Sequence, residues 1–562
     1  MTKTTATKNS RRKKPRVLAV IDAETDPFLY GRIPKPFAVG VRIGDVYLDF
    51  WGEDCIDRAL DWLAEWDEPL IVYAHNGGKF DFFFMLHRIE NPIKIINGRI
   101  VKAKFGIHEF RDSFAIMPQA LSAYKKDEID YDKFEAEVRD QHRVEILKYL
   151  RGDCNYLYEM CAAFIARFGI KLTIASTAMG ELKKIHPQQN GTQSHDAKFR
   201  PFYFGGRVEC FESGILRDNW KVYDVNSMYP HVMKNFDHPL GQNYVDLASP
   251  RVLPNGDLAE LPGCMYFCEV EGWNRGALPV RLDDVQGSLS FNQSQGVFAT
   301  TSHELRAALS TDSFTVKRIR RALVPLEVQR FAGFIDHFTE EKIACELAGD
   351  KIGRYFAKTI MNSSYGKFGQ SPEEFADFYI QVLGRDDAPH PNEFDGIAAR
   401  EGQHLWEMFQ SDDAFCVWKK KAPGFAYFDV AIAASITGAA RAELMLAIKK
   451  ADRPVYCDTD SLICRGLSDV AIHQTELGAW KVDADKAGNP ATGDKLAIAG
   501  KKLYALFDGA RVVKAASKGV KLQAEDIVKV AQGQVLLWKS DAPNFSLIRP
   551  TRFVDRRVRA TS

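Results

Sequence analysis

Two pairs of acids at the ends of apolar runs constrain this chain more than any other feature. Val17 to Ile21 run straight into Asp22-Ala23-Glu24, and Pro454-Val455-Tyr456 lead into Cys457-Asp458-Thr459-Asp460. Side chains two apart on a strand share a face, so Asp22 and Glu24 project together. Asp458 and Asp460 repeat that spacing at a tight turn. Carboxylates held this close raise one another's pKa unless cations neutralise them. Two such sets, divided by a polar stretch, point to two active centres on separable α/β segments. The 562 residues, 46% hydrophobic and 27% charged, supply core enough for that. At roughly 100–200 residues per domain the length fits about three to five domains. The composition excludes a disordered, collagen-like or small disulfide-held chain.

Net charge is +1, from 75 Lys+Arg against 74 Asp+Glu, so only local clusters speak to a polyanionic partner. The 10 cysteines are scattered, and Cys264 and Cys268 have no second pair to complete a zinc site. They read as reduced thiols of a cytoplasmic protein. No apolar run approaches the ~20 residues of a membrane span, and no signal-peptide core follows the start. Residues 1–16 are basic, Thr-rich and free of acids. A transit peptide would need an apolar face, so a solvated tail that touches nucleic acid only electrostatically is the simpler reading.

Along the chain, Val17 to Ile21 and Leu70 to Ala74 read as strands, the second ending in His75-Asn76-Gly77-Gly78-Lys79. Helical patterns run from Arg143 to Lys184. The Gln-rich stretch 186–198 is the best linker candidate. Strands return near Val208 and Val222, mixed signals fill His231 to Gly333, and one helical block is expected over Phe334 to Tyr365. Residues 371–420 are mixed, a helix covers Ala431 to Lys450, and the tail 549–562 is basic. No repeat of fixed period is present.

Asp81 follows the Asn-Gly-Gly-Lys-Phe loop, and Tyr149 and Asp153 stand four apart in a helical pattern, stacked on one face. Any one of these acids alone would be an ordinary surface charge. Jointly, a pair of divalent metals about 3.5–4 Å apart would neutralise them, activate a water and stabilise the leaving oxygen of a phosphodiester. VIDAETD, HNGGKFD and YLRGD, in this order, resemble the three exonuclease motifs of the DEDD superfamily, tyrosine subtype. The resemblance implies metal binding by Asp22, Glu24, Asp81 and Asp153, orientation of the attacking water by Tyr149, and capture of a single-stranded end by Asn76 and Phe80.

In the second set, Tyr223-Asp224-Val225-Asn226-Ser227-Met228-Tyr229-Pro230 reads as a strand breaking into a turn with Asp224 at its end. The Asp458-Thr459-Asp460 turn is open to two readings, a metal-binding element or an Asx-stabilised hairpin. Lys358, Asn362 and Tyr365 fall at i, i+4 and i+7 and share a helical face. A cation, an amide and a ring on one stripe suit a triphosphate, its sugar and its base; a solvated amphipathic helix is the bland alternative. The order DxxSMYP, KxxxNSxYG, YCDTDS and KLY matches the polymerase motifs of the family B DNA polymerases. With the exonuclease motifs they span residues 22 to 504.

Tyr203-Phe204-Gly205-Gly206 resembles the YxGG motif of the protein-primed branch, which starts replication on a terminal protein. Lys126 in KDEIDY resembles its extra exonuclease lysine, and Ser113 in RDSF its single-strand-binding motif, though Phe114 stands where that motif usually has Leu. The spacings leave room for the branch's two insertions. Stretches such as RPFYFGGR and AGKKLYAL look most like the polymerases of tectiviruses.

What this resemblance implies is an α/β multidomain chain, an RNase H-like exonuclease domain followed by a right-hand polymerase domain. The expected boundaries are a tail at 1–16, exonuclease 17–185, linker 186–202, palm 203–230 and 425–505, and a terminal-protein-binding insertion at 231–333. Fingers at 334–370, a strand-displacement insertion at 371–424 and a thumb at 506–562 complete them. Asp224, Asp460 and the Val225 carbonyl would hold metal, with Asp458 beside them. Lys342 and Lys358 would bind the incoming triphosphate, Tyr229 would exclude a 2′-hydroxyl, and Tyr365 would line the base pair. Tyr203, Gly205, Gly206, Lys502 and Tyr504 would contact DNA. Thr437 and Arg441 would touch template, with a helix-surface charge as the equal alternative for Arg441. The implied cofactor is Mg²⁺, with Mn²⁺ as a substitute, two ions per site. The implied partners are primer–template, dNTPs, a terminal protein and a single-stranded-DNA-binding protein, with no membrane and a monomeric enzyme in the cytoplasm of a bacterial host. A DNA-primed or primer-independent polymerase, and a scaffold with a dead active site, are the competing readings. A nuclease alone would leave Lys358, Asn362 and Tyr365 unexplained.

Overall fold

A computed structural model describes residues 16–123, 127–282, 289–371, 376–382, 406–412, 415–421, 427–547 and 551–561. It divides into two compact units, 1–174 with 373–423 and 541–554, and 175–372 with 424–540 and 555–562.

The first unit is built on a mixed sheet. Leu70–Ala74 lies at its centre, wholly buried and parallel to both neighbours, Val17–Thr25 and His108–Asp112. A strand covered on both faces needs a continuous apolar run, and LIVYA supplies it. Pro36–Ile43 and Val46–Trp51 extend the sheet antiparallel on one side, Arg99–Phe105 and Glu90–Ile96 on the other. The helix Arg143–Phe168 packs against Val17–Thr25 and Pro36–Ile43. Phe545 stacks on Phe83, with ring centroids 5.2 Å apart, and Leu547 joins the same core.

The second unit holds two large sheets and, among the described residues, three two-stranded ones. The larger runs in the order Arg511–Ser517, Leu503–Asp508, Thr492–Gly500, Gly214–Val225, Ser461–Cys464, Tyr456–Asp458 and Val208–Cys210, with Trp480–Val482 also paired to Gly214–Val225. The smaller, His238–Ala248, Phe314–Gln329, Phe267–Asn274 and Gln295–Thr301, is antiparallel and resolves the mixed signals of 231–333. Helix Ser302–Ser310, started by a Thr301–Glu304 capping box, packs against helix Val430–Lys450.

Several sequence expectations need correction. The stretch 186–202 is not a linker. Thr192 caps a helix, Gln193–Phe199, and Phe199 and Phe202 are buried beside Phe267 and Val430. Polar composition hid two anchoring aromatics, and the division between the units falls at Ile174/Ala175 rather than at 185. The helical block over Phe334 to Tyr365 is two helices, Ala332–Leu347 and Lys351–Phe368, because Gly349 takes a left-handed φ of +70° between them. The palm boundary expected at 505 would cut the strand Leu503–Asp508, and Arg511–Ser517 still belongs to that sheet.

Of 371–424, only three strands are described. Ala376–Val382 pairs with Glu90–Ile96, so this segment continues the first unit's sheet. One helix, Val430–Lys450, is long and apolar enough to cross a membrane. It is a core helix, 83% buried over its apolar window, and Arg441 and Glu443 interrupt its apolar run in the sequence. Residues 1–15, Lys126 and most of 371–424 lie outside the described residues.

Candidate active sites

The first acid cluster forms where the strand Val17–Thr25 meets the helix Arg143–Phe168. Carboxylate oxygens of Asp22, Glu24 and Asp153 lie within 4.8 Å of one another. Burial, then the charges of Glu24, Asp81 and Asp153, push the Asp22 carboxyl far above the usual carboxylate range. Asp81 opens the short helix Asp81–Phe84, is 3% exposed, and burial lifts it to about 7. Acids assembled at this cost fit a divalent cation, which offsets their repulsion.

Tyr149 faces the same cluster. Burial first, then its bond with Tyr131 and the charge of Asp153, keep its phenol protonated, and the two hydroxyls are 3.1 Å apart. Tyr149 and Asp153 also line a cavity of about 360 Å³ with His75, Asn76, Phe114 and Leu121. Asn76 adopts a left-handed φ of 61° and accepts from Arg99 at 2.8 Å. Phe80 packs edge-on against Phe28 and Phe84. Ser113 departs from its expected DNA contact: it is wholly buried, and its hydroxyl bonds His75 Nδ1 at 2.9 Å and the Ala74 carbonyl. It therefore positions His75, whose ring borders the cavity.

The second cluster lies on the larger sheet of the second unit. Asp224 pairs in register with Ser461, and Val225 N donates to the Asp460 carbonyl at 2.9 Å, so Asp224 at its strand's end lies beside the turn that carries Asp460. Burial, Asp460 and Asp483 raise Asp224 to about 6, and burial and Asp458 raise Asp460. The Asp458–Ser461 connection is a hairpin turn with Thr459 at φ 62°, closed by Asp460 N donating to the Asp458 carbonyl, and it carries both acids. Asp458 itself is engaged by the Lys502 ammonium. Asp224 with Asp460 is thus the pair whose donors fit a divalent cation.

Lys342 and Lys358 come from the two helices that follow the smaller sheet. Burial and the charges of Arg354, Lys358 and Lys481 hold Lys342 below the usual lysine range. Asn362 donates to the Lys358 carbonyl at 2.7 Å. Tyr229 and Tyr365 stack with centroids 3.8 Å apart and planes 15° from parallel, one wall contributed by two motifs.

The Tyr203-Phe204-Gly205-Gly206 segment braces the acid-bearing turn, with Phe204 buried and Gly205 exposed. A Cβ on Gly206 would lie 2.6 Å from Thr459 Oγ1, so only glycine lets this loop seat against the acid-bearing turn. Thr459 N donates to the neighbouring Arg207 carbonyl at 2.7 Å. Tyr203 packs over Gly369, where a Cβ would meet its hydroxyl at 2.5 Å. Arg441 is neither a template contact nor a surface charge. It is 2% exposed, pairs Nε with Glu304 Oε1 at 2.7 Å, and donates from Nη1 to the Phe204 and Gly205 carbonyls at 2.6 and 2.8 Å. Thr437, also buried, returns its hydroxyl to the Ala433 carbonyl. Tyr504 is 6% exposed and packs on Tyr456, while Lys502 is half-buried with its ammonium on Asp458.

Sequence reading missed Asp483, Lys481, Lys514, Arg99 and Tyr131. Asp483 and Lys514 pair beside Asp224, and Lys481 stands opposite it in register. None carries a recognisable spacing, because strand pairing alone brings them to the site. Tyr131, in KDEIDY, was within sight of the exonuclease lysine but gave no signal of its bond to Tyr149.

A family profile described as DNA polymerase type B, organellar and viral, matches residues 121–461. The DNA-directed DNA polymerase of Enterobacteria phage PRD1 is 44% identical over 99% of this chain and 100% of its own length. A probable DNA polymerase of Agaricus bitorquis is 25% identical over 56% of this chain and 47% of its own. Among solved structures, an orthorhombic crystal form of Phi29 DNA polymerase superposes with a TM-score of 0.72 at 16% identity, covering 97% of this chain and 100% of that one. With two separate acid clusters, the polymerase motifs in order and this degree of likeness, the chain belongs to the type B DNA polymerases of organellar and viral kind.

Proposed function

We propose that the protein is a phage-encoded, template-directed DNA polymerase that also proofreads with a 3′–5′ exonuclease and begins replication on a terminal protein. One observation carries this reading. Each compact unit holds its own cluster of acids, and among the described residues lysines without an ion-pair partner stand near the second. The first cluster, Asp22, Glu24, Asp81 and Asp153 with Tyr149, suits hydrolysis of a phosphodiester. The second, Asp224 and Asp460 with Lys342 and Lys358, suits nucleotidyl transfer from a dNTP. Divalent ions, Mg²⁺ in the first instance, would supply Lewis-acid activation and charge neutralisation at both. Tyr149, as a neutral phenol, would orient the attacking water, and Asn76, Phe80 and the cavity rimmed by His75 and Phe114 would receive a frayed 3′ end. Tyr229, stacked on Tyr365, would close the space beneath the sugar.

Related proteins lend further support. Phi29 DNA polymerase is solved in complex with primer–template DNA and incoming nucleotide, and with single-stranded DNA. The PRD1 relative is a phage protein, in keeping with action in the cytoplasm of a bacterial host. The sheet-bearing segment 231–333 offers a surface for a terminal protein. The segment 371–424, whose strand Ala376–Val382 joins the first unit's sheet, would supply a wall for strand displacement. A single-stranded-DNA-binding protein would coat the displaced strand, and the enzyme would act as a monomer.

The test is incubation with the cognate terminal protein, labelled dNTP and Mg²⁺, followed by denaturing gel analysis. Label covalently attached to protein is the expected result. Extension of a DNA primer without any adduct would favour the alternative, a DNA-primed polymerase of the same family.

A further inference from the structure

Lysines gathered without acids are uncommon in a folded protein, because like charges repel and a counter-ion is easily evolved. Around the second acid cluster some cations have one. Lys514 pairs with Asp483, Lys502 with Asp458, and Arg354 with Glu346 at 3.3 Å. Three ammonium groups do not. Lys342, Lys358 and Lys481 make no hydrogen bond or ion pair among the described residues, although each lies within electrostatic reach of the acids or of one another. Two come from helices, Ala332–Leu347 and Lys351–Phe368; the third comes from the sheet that carries Asp224.

Lys481 is set by backbone pairing. Trp480–Val482 runs antiparallel to Gly214–Val225, with Lys481 directly opposite Asp224. Directly opposed residues put their side chains on the same face with Cβ atoms about 4.5–5.5 Å apart. A four-carbon stem starting there keeps the ammonium within electrostatic reach of the Asp224 carboxylate, and the two do not form an ion pair among the described residues. Its charge is felt at Asp224 on one side and at Lys342 on the other. A strand lysine beside Asp224 that shares its electrostatic surroundings with two unpaired helical lysines suits a polyanion, and the polyanion this enzyme would handle beside Asp224 is a nucleoside triphosphate.

We infer that Lys481 is a substrate-binding residue that grips the β- and γ-phosphate oxygens of the incoming dNTP, and the pyrophosphate it becomes, from the palm side. This rests on the reading of Asp224 and Asp460 as the polymerase centre. The helices supply the other two cations, so the triphosphate tail is held between elements. Lys481 stands on a strand whose neighbours fix it, and so presents a constant charge.

The experiment uses the full chain with Asp22→Ala and Glu24→Ala, so that primers stay intact, and compares Lys481→Met, Lys481→Arg and Asp224→Ala. Equilibrium binding of the next correct dNTP is measured on a dideoxy-terminated primer–template, alongside the pyrophosphate dependence of primer shortening by the reverse reaction. Lys481→Met should weaken dNTP and pyrophosphate binding about tenfold or more, the loss expected for a hydrogen bond to a charged group. Lys481→Arg should restore most of it, and primer–template affinity should not move.

A counter-ion role for Asp224 predicts the opposite pattern. The methionine variant would then reach full rate at lower Mg²⁺, with dNTP affinity unchanged, and the inference would be overturned. Equal loss of primer–template affinity, or failure of Lys481→Arg to recover dNTP binding, would also overturn it, by showing damage to the sheet. If Asp224→Ala still extends primers, the polymerase-centre reading itself is wrong; if it does not, while Lys481→Met binds dNTP normally, only the role of Lys481 falls.

Discussion

Substituting Arg441 with methionine removes a guanidinium that ties three parts of the second unit together. It pairs with Glu304 on the helix Ser302–Ser310 and donates to the Phe204 and Gly205 carbonyls, while its own helix, Val430–Lys450, runs through the core. The side chains of Arg441 and Glu304 are 2% and 1% exposed, so neither recovers water when the other is lost. Deleting one member of such a buried pair costs about 3–5 kcal/mol, chiefly because the remaining charge is stranded. Removing both is milder, so Arg441→Met with Glu304→Gln should be less destabilised than the sum of the single variants. Urea unfolding of the four proteins measures this, with primer–template affinity determined below each transition. A template contact predicts the reverse: near wild-type stability, weaker DNA binding and a shallower salt dependence. Arg441→Met with unaltered stability and impaired DNA binding would refute the interior role.

Three further outcomes follow from the same geometry. Asp22→Ala with Glu24→Ala should abolish 3′–5′ degradation and spare primer extension, since the second acid cluster belongs to another compact unit; parallel loss of both activities in a folded protein would contradict two centres. Gly206→Ala should lower extension by about 10²-fold, the scale expected when reacting groups are displaced by an ångström, because the added Cβ meets Thr459 at 2.6 Å and shifts the Asp458–Asp460 turn; gel-based extension rates, with degradation as the internal control, check it. Tyr229→Val should admit ribonucleotides, read as a lower dNTP/NTP discrimination ratio, and should also free the Tyr365 ring that stacks on Tyr229 at 3.8 Å; an unchanged ratio would put the sugar gate elsewhere.

Local chemistry made part of this protein legible without coordinates. Asp22 and Glu24 share a face because strand side chains alternate, and Lys358, Asn362 and Tyr365 share one because a helix repeats every 3.6 residues. Both patterns lie within a few consecutive residues. The same locality misled where composition was read without packing: the Gln-rich stretch 186–202 holds a capped helix whose Phe199 and Phe202 are core residues, and nothing within the stretch announces their partners Phe267 and Val430.

What the amino-acid sequence determined by itself was which residues carry chemistry and on what kind of local element each stands. Which charges remain available was decided by the tertiary structure. Arg441 looks like any helix arginine until Glu304 and the carbonyls of Phe204 and Gly205 close around it. Lys481 looks like any strand lysine until Trp480–Val482 pairs with Gly214–Val225 and sets it opposite Asp224. A long charged side chain reaches whatever its non-local neighbours present, and strand register between distant segments is a property of the folded whole, so the role of such a residue is written in the pairing of the sheet and not in its neighbours along the chain.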